Sequence, residues 1–146
     1  MSDTVLVPVD GSDPSKLAID FAIEHFSGSS IAIIYVMNPL ADYSRVRAFP
    51  GYTASDEYST EREKGEAVIA SAVDRIPDDV DVETDLIVGK PSRAIITYAD
   101  DAECSHIVIG SHGRTGTARH LLGSVAETVV RRASTPVTVV RPTDST

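Results

Sequence analysis

The chain has 146 residues, enough for one domain with a single substantial core. Its 22 acidic and 13 basic residues give a formal net charge of -9, which disfavours a nucleic-acid-binding surface. The one cysteine, Cys104, excludes an internal disulfide and fits a reducing cytoplasm, and no run of about 18 apolar residues predicts a membrane span.

The chain enters a strand almost at once, without the charged-then-apolar pattern of a secretory leader, so a cytoplasmic protein is expected. Lys16, Lys64 and Lys90 are its only lysines, and the acidic surplus would suit a salt-rich cytoplasm, where charge repulsion is screened.

Thr4 to Val9 reads as a buried strand, although Pro8 cannot donate to a ladder and marks the point where the backbone leaves the sheet. Asp10 then stands at the carboxyl end of that strand. Ser12 or Asp13 caps the next helix, with Pro14 in its first turn. That helix runs to about Phe26 on the stripe Ala18, Ile19, Ala22, Ile23, Phe26. Ser27 to Ser30 turns the chain into a second buried strand, Ile31 to Val36.

From Leu40 to about Ser55 no period appears. A loop of that length is usually functional or mobile, and it starts at the carboxyl end of a strand, where it would serve as a lid or stand as an insertion. Glu57 to Ile76 reads as a long helix with Gly65, Ile69, Ala72, Val73 and Ile76 inward; Glu61 falls on its charged face, read as solvated. Val80 to Val88 alternates apolar and acidic residues, the pattern of a half-exposed edge strand. After Gly89-Lys90-Pro91, a helix reaches about Ala102.

The most informative stretch runs from Ser105 to Ser124. Ile107-Val108-Ile109 is a short buried strand ending on Gly110. Three more glycines follow, at Gly113, Gly116 and Gly123, and a helical pattern starts near Leu121, with Leu122, Val125, Ala126, Val129 and Ala133 on one stripe. Glycine lets backbone N–H groups approach an anion, and a helix N-terminus offers unpaired N–H groups and the positive end of its dipole. The physical reading is a phosphate cradle at the carboxyl end of a strand, where open α/β sheets place ligands. A glycine-rich turn without a ligand is the plain alternative. Pro136 to Val140 is a last strand, and Thr143 to Thr146 a polar tail.

Strands alternate with helices throughout, which implies a parallel sheet covered on both faces, a single α/β domain over residues 1–146. Neither G-x-x-x-x-G-K-[ST] nor G-x-G-x-x-G occurs. Gly110, two residues, Gly113, nine residues, then Gly123-Ser124 resembles the ATP-binding signature of the universal stress protein family. The resemblance extends from V-P-V-D-G-S at the start to P-V-T-V-V-R at the end.

The resemblance implies an open five-stranded Rossmann-like sheet in the order 3-2-1-4-5, akin to the adenine nucleotide alpha hydrolases. It implies that Val9 and Val36 line an adenine pocket and that Asp10 and Gly110 hold the ribose region. Gly113, Gly123, Ser124 and Val125 would hold the phosphates of ATP, with ADP and AMP as alternatives, and a magnesium or manganese ion carried by those phosphates. It also implies a homodimer paired through Val137 to Val140, which would cover an otherwise open apolar edge. Ser105 departs from the family, which often has an acidic residue there.

Three functions compete: a nucleotide-binding regulatory module of the stress response, a slow ATP hydrolase or phosphoryl-transfer enzyme, and a nucleotide-free dimeric scaffold. His112, Arg114 and His120 lie in the right loop for phosphoryl chemistry, but no set of cations with fixed geometry is evident, so at most a weak ATPase is expected. The histidines match no metal-ligand spacing.

Overall fold

The computed structural model describes residues 3–38, 54–111 and 122–142, with side chains in α2 from Thr60 onward. The expectations for Leu40 to Thr53, for His112, Gly113, Arg114, Gly116 and His120, and for the tail lie outside the described residues. Along the chain the elements are β1 (Thr4–Pro8), α1 (Asp13–His25), β2 (Ser30–Met37), α2 (Ala54–Asp74), β3 (Val82–Val88), α3 (Pro91–Asp101), β4 (His106–Gly110), α4 (Ser124–Arg132) and β5 (Val137–Val140). All strand pairs are parallel, and the sheet order is β3-β2-β1-β4-β5.

Alternation along each strand divides the core in two. Val5, Val7, Ile31, Ile33 and Val108 pack with Ala18, Ile19 and Ala22 of α1 and Ala72 of α2. Leu6, Ala32, Ile34, Ile107 and Ile109 face the other way, onto Ile95 and Ala99 of α3 and Ala126 and Val129 of α4. Side chains that point alternately up and down a strand need apolar cover on both faces, which is why these strands read as continuous apolar runs. Cys104 belongs to the second layer, where burial pushes its thiol up from the ordinary value.

Three elements start two or more residues from expectation, two of them for a clear local reason. β3 starts at Val82 because Val80 N–H turns back to the Pro77 carbonyl. α4 starts at Ser124, because Gly123 is extended (φ -68, ψ 160) and its N–H is held by the Ser111 carbonyl at 2.6 Å. Leu122 therefore falls outside the helix and is 42% exposed, not a core residue. The third, α2, starts at Ala54, earlier than Glu57.

The charged face of α2 also needs one correction. Glu61 is half-buried and accepts a hydrogen bond from the Tyr35 hydroxyl, on a ring only 2% exposed. Gly65 makes this close approach possible: a Cβ there would lie 2.6 Å from Leu86 Cδ1 and 2.7 Å from Tyr35 Cδ1.

Candidate functional site

The site is built where β1 and β4 part. Val9 N–H donates to the Ile34 carbonyl, so by alternation Pro8 turns its main chain toward β4. Pairing of β1 with β4 joins Val5 to His106 and Leu6 to Ile107, below Pro8. A residue with no N–H stands where the ladder has ended, so it leaves no donor unmet and lets the two strands diverge. Topology puts the crevice here as well, since the chain winds outward from β1 to β2 and from β4 to β5.

Two helices begin at this crevice. The N-terminus of α1 is closed by its own residues. Ser12 is the N-cap, and its hydroxyl accepts from Ser15 N–H at 3.3 Å. Ser12 N–H donates to Asp10 Oδ1 at 2.9 Å, and Ser15 Oγ donates to the Ser12 carbonyl at 3.0 Å. Gly11 makes the bend with φ +84, a left-handed conformation that favours glycine. These bonds fix Asp10, half-buried, at the mouth of the crevice. Among the described residues its second carboxylate oxygen has no partner.

The N-terminus of α4 is different. Its N-cap is Gly123, which has no side chain to cap with. Ser111, fully buried, donates its N–H to the Val140 carbonyl and accepts from Gly123 N–H, so the two ends of the segment between them meet at the tip of β4. Ser124 follows, exposed, and then Val125, half-buried against the α3/α4 layer. Among the described residues, no side chain caps the first turn of this helix. Its leading N–H groups thus begin beside the tip of β4, at the positive end of the helix dipole.

The sequence-predicted site residues fall into separate groups. Asp10, Gly110, Gly123, Ser124 and Val125 belong to the two rims of the crevice, and Gly113 lies outside the described residues. Gly110 has a packing duty: a Cβ there would stand 2.8 Å from the Pro14 carbonyl carbon and 2.9 Å from Ser15 N, so the start of α1 lies directly on the end of β4. Val9 and Val36 fall on opposite faces of the sheet. The Val9 side chain is 5% exposed in the α1/α2 layer, whereas Val36 is half-buried on the α3/α4 side. What Val9 brings to the rim is main chain. Ser111 was missed in the sequence because nothing marks a serine after a strand as the residue that ties the strand tip to a helix start.

Among the described residues no cluster of three or more His, Cys, Asp or Glu side chains could hold a metal ion. No described helix is long and apolar enough to cross a membrane.

A five-stranded sheet in this order, with glycine-bounded strand tips at its switch point, defines a Rossmann-like α/β protein. The chain belongs to the universal stress protein family, whose model matches residues 1–141. It is similar to a universal stress protein of Methanocaldococcus jannaschii, 34% identical over 147 residues that cover 94% of this chain and 81% of the relative. A universal stress protein of Mycobacterium tuberculosis is 32% identical over 94% of this chain, which spans only 44% of that relative's length. Among solved structures, hypothetical protein MJ0577 superposes with a TM-score of 0.82 at 24% identity, covering 99% of both chains. A universal stress protein solved in complex with cAMP has 30% identity and a TM-score of 0.58, covering 95% of this chain and 96% of its own.

Proposed function

We propose that this protein is an adenine-nucleotide-binding regulatory module, with the phosphates at the N-terminus of α4 and the ribose at Asp10. The observation that carries the reading is the first turn of α4, which no side chain among the described residues caps, set on the crevice opposite a helix start that caps itself. Unpaired N–H groups and a helix dipole favour an anion, and a carboxylate oxygen without a partner favours a hydroxyl donor such as a ribose diol. Val36, half-buried on the α3/α4 face, offers apolar surface for a base. The complex of a related universal stress protein with cAMP supports the adenine class. ATP is the nucleotide we assign, with magnesium or manganese bound to its phosphates rather than to a protein cluster.

The test is to denature purified protein, separate the supernatant by ion exchange and identify any nucleotide. Empty protein is then titrated with ATP, ADP, AMP and cAMP, each with and without magnesium. Stoichiometric ATP, or tightest binding of ATP with magnesium, is the expected result. ADP or AMP in its place would favour the hydrolase. No nucleotide and no heat of binding would favour the scaffold.

The module acts as a homodimer through β5, and the two edges of the sheet support this choice. On β3 the outward-facing Leu86 N–H is taken by the Asp85 carboxylate at 2.9 Å, and Glu83, Thr84 and Asp85 are exposed. Such an edge repels a further strand. On β5, Ile107 N–H and Ser111 N–H bind the carbonyls of Pro136 and Val140, so alternation turns the main chain of Val137 and Val139 outward. Among the described residues, β5 itself (Val137–Val140) carries no charged side chain. Val139→Pro removes one outward donor and spares the ladder to β4. It is expected to halve the assembled mass in light scattering; an unchanged mass would contradict the pairing.

A further inference from the structure

Helix α3 carries its charges against its dipole. α1 has Asp13 in its first turn and His25 in its last, and α4 has Glu127 in its first and Arg131 and Arg132 in its last. Both follow the rule that acids suit a helix start and bases a helix end. α3 has no acid in its first turn and no base in its last. Lys90 is its N-cap and Arg93 lies in its first turn, while Asp100 and Asp101 close it. Asp100 accepts from the Ser134 hydroxyl, which leaves Arg93 and Asp101 as the exposed opposite charges of one face. Among the described residues, neither they nor Lys90 are paired. A charge pattern that opposes its own helix, with no compensation among the described residues, calls for a complement from outside.

These charges flank a groove of about 500 Å³ between α3 and the end of β3. Ile87, Ala94 and Ala102 line it, Val88 at its edge is 46% exposed, and Tyr98 lies along it. Burial, with Asp85 and Glu83 nearby, pushes the Tyr98 phenol up, so the acidic end of the groove continues onto β3. The groove is therefore apolar along its length, basic at the start of α3 and acidic at its end.

That pattern is complementary to itself. Arg93, Thr97 and Asp101 are spaced i, i+4, i+8, in line along one helix face and about 12 Å from end to end. A two-fold axis through Thr97, perpendicular to α3, reverses the line and sets Arg93 of each copy level with Asp101 of the other. We infer that this groove is an interface for a second copy of the chain, with α3 packed antiparallel on its counterpart and Arg93 paired to Asp101 in both directions. A foreign partner would need only one complementary charge pattern; here both halves are already present on one face. The surface is isologous and lies on the opposite flank of the sheet from β5, so both can be occupied at once and build assemblies larger than a dimer. The inference does not depend on nucleotide binding.

The test uses complementary variants. Arg93→Glu and Asp101→Arg each place like charges across the two-fold and should each abolish the contact. Mixed one to one, they restore it. The acid introduced at position 93 of the first variant then meets the base introduced at position 101 of the second, and the native Asp101 of the first meets the native Arg93 of the second. Sedimentation velocity on the full chain, up to about 1 mM protein, reads the result. In the Val139→Pro background the α3 contact alone should give a dimer, each charge variant a monomer, and the mixture a dimer again. In the wild-type background each charge variant should reduce the assembly to a dimer, a readout that survives if the proline variant fails to fold. An unchanged mass in either single variant, or a mixture that does not reassemble, would overturn the inference. Loss of the β5 pairing alone would leave it standing.

Discussion

The starts of α1 and α4 lie on the same crevice and meet the same physical demand in opposite ways. Each has N–H groups with no helical partner. At α1 the demand is met within the chain: the Ser12 hydroxyl accepts from Ser15 N–H and the Asp10 carboxylate accepts from Ser12 N–H. At α4 a glycine occupies the cap position, and the first turn is left open among the described residues. One helix start is thus closed by its own side chains, and the other is the one proposed to receive a ligand. The difference is a matter of which residue stands at the N-cap, serine or glycine.

Converting α4 to the α1 type should have the largest effect. Gly123→Asp supplies a side-chain cap and a negative charge where the phosphates are proposed to sit. Adenine-nucleotide affinity is expected to fall at least 100-fold, equal to about 2.8 kcal/mol, while thermal stability stays level or rises slightly. Calorimetric titration and a melting curve on the same sample check both halves. Equal loss of stability and affinity would mean that the glycine serves only the turn.

Gly110→Ala attacks the contact that brings the two starts together. The added methyl meets main-chain atoms of Pro14 and Ser15 at 2.8–2.9 Å, which cannot move aside as a side-chain tip would. A loss of about 1–3 kcal/mol is expected in urea unfolding. A wild-type midpoint would show that α1 shifts freely on β4.

Converting α1 toward the open type is milder. Ser12→Ala should cost about 1 kcal/mol of stability and change nucleotide affinity by less than about threefold, since its hydroxyl faces its own helix. A large affinity loss with intact stability would place Ser12 in the site instead.

The smallest effect lies at the far end of β4. His106 packs on Phe26 with ring centroids 4.6 Å apart, and its Nε2 is 2.7 Å from Thr138 Oγ1. Burial holds its pKa below the ordinary value. The unfolded chain therefore takes the proton first as pH falls. The stability tied to the neutral ring is whole above about pH 6.5 and is lost as pH drops through the lower folded value. His106→Gln should flatten that part of the profile of melting temperature against pH relative to wild type. Parallel profiles would count against a buried neutral ring.

Much of this was legible in the residues. The alternation of apolar strands with striped helices dictates the doubly wound sheet, and Asp10 and Gly110 could be placed at strand tips because strand ends are marked by turn residues. The facing of side chains was harder to read. Val9 and Val36 look equivalent as strand-end valines, yet one residue of register puts them on opposite faces. Glu61 reads as a surface charge until Gly65 is seen to let α2 settle onto Tyr35. Ser111 and Gly123 are twelve positions apart, and their hydrogen bond is a product of tertiary closure, which no local pattern encodes.

The central claim is that the open start of α4 receives the phosphates. It is tested most directly by following backbone amide resonances of nitrogen-15-labelled protein as ATP with magnesium is added. Large shifts are expected at Ser124, Val125 and Ala126 with little change at Asp13 and Ser15, whose helix start is already closed. Shifts centred on α1, or none at either helix start, would contradict it.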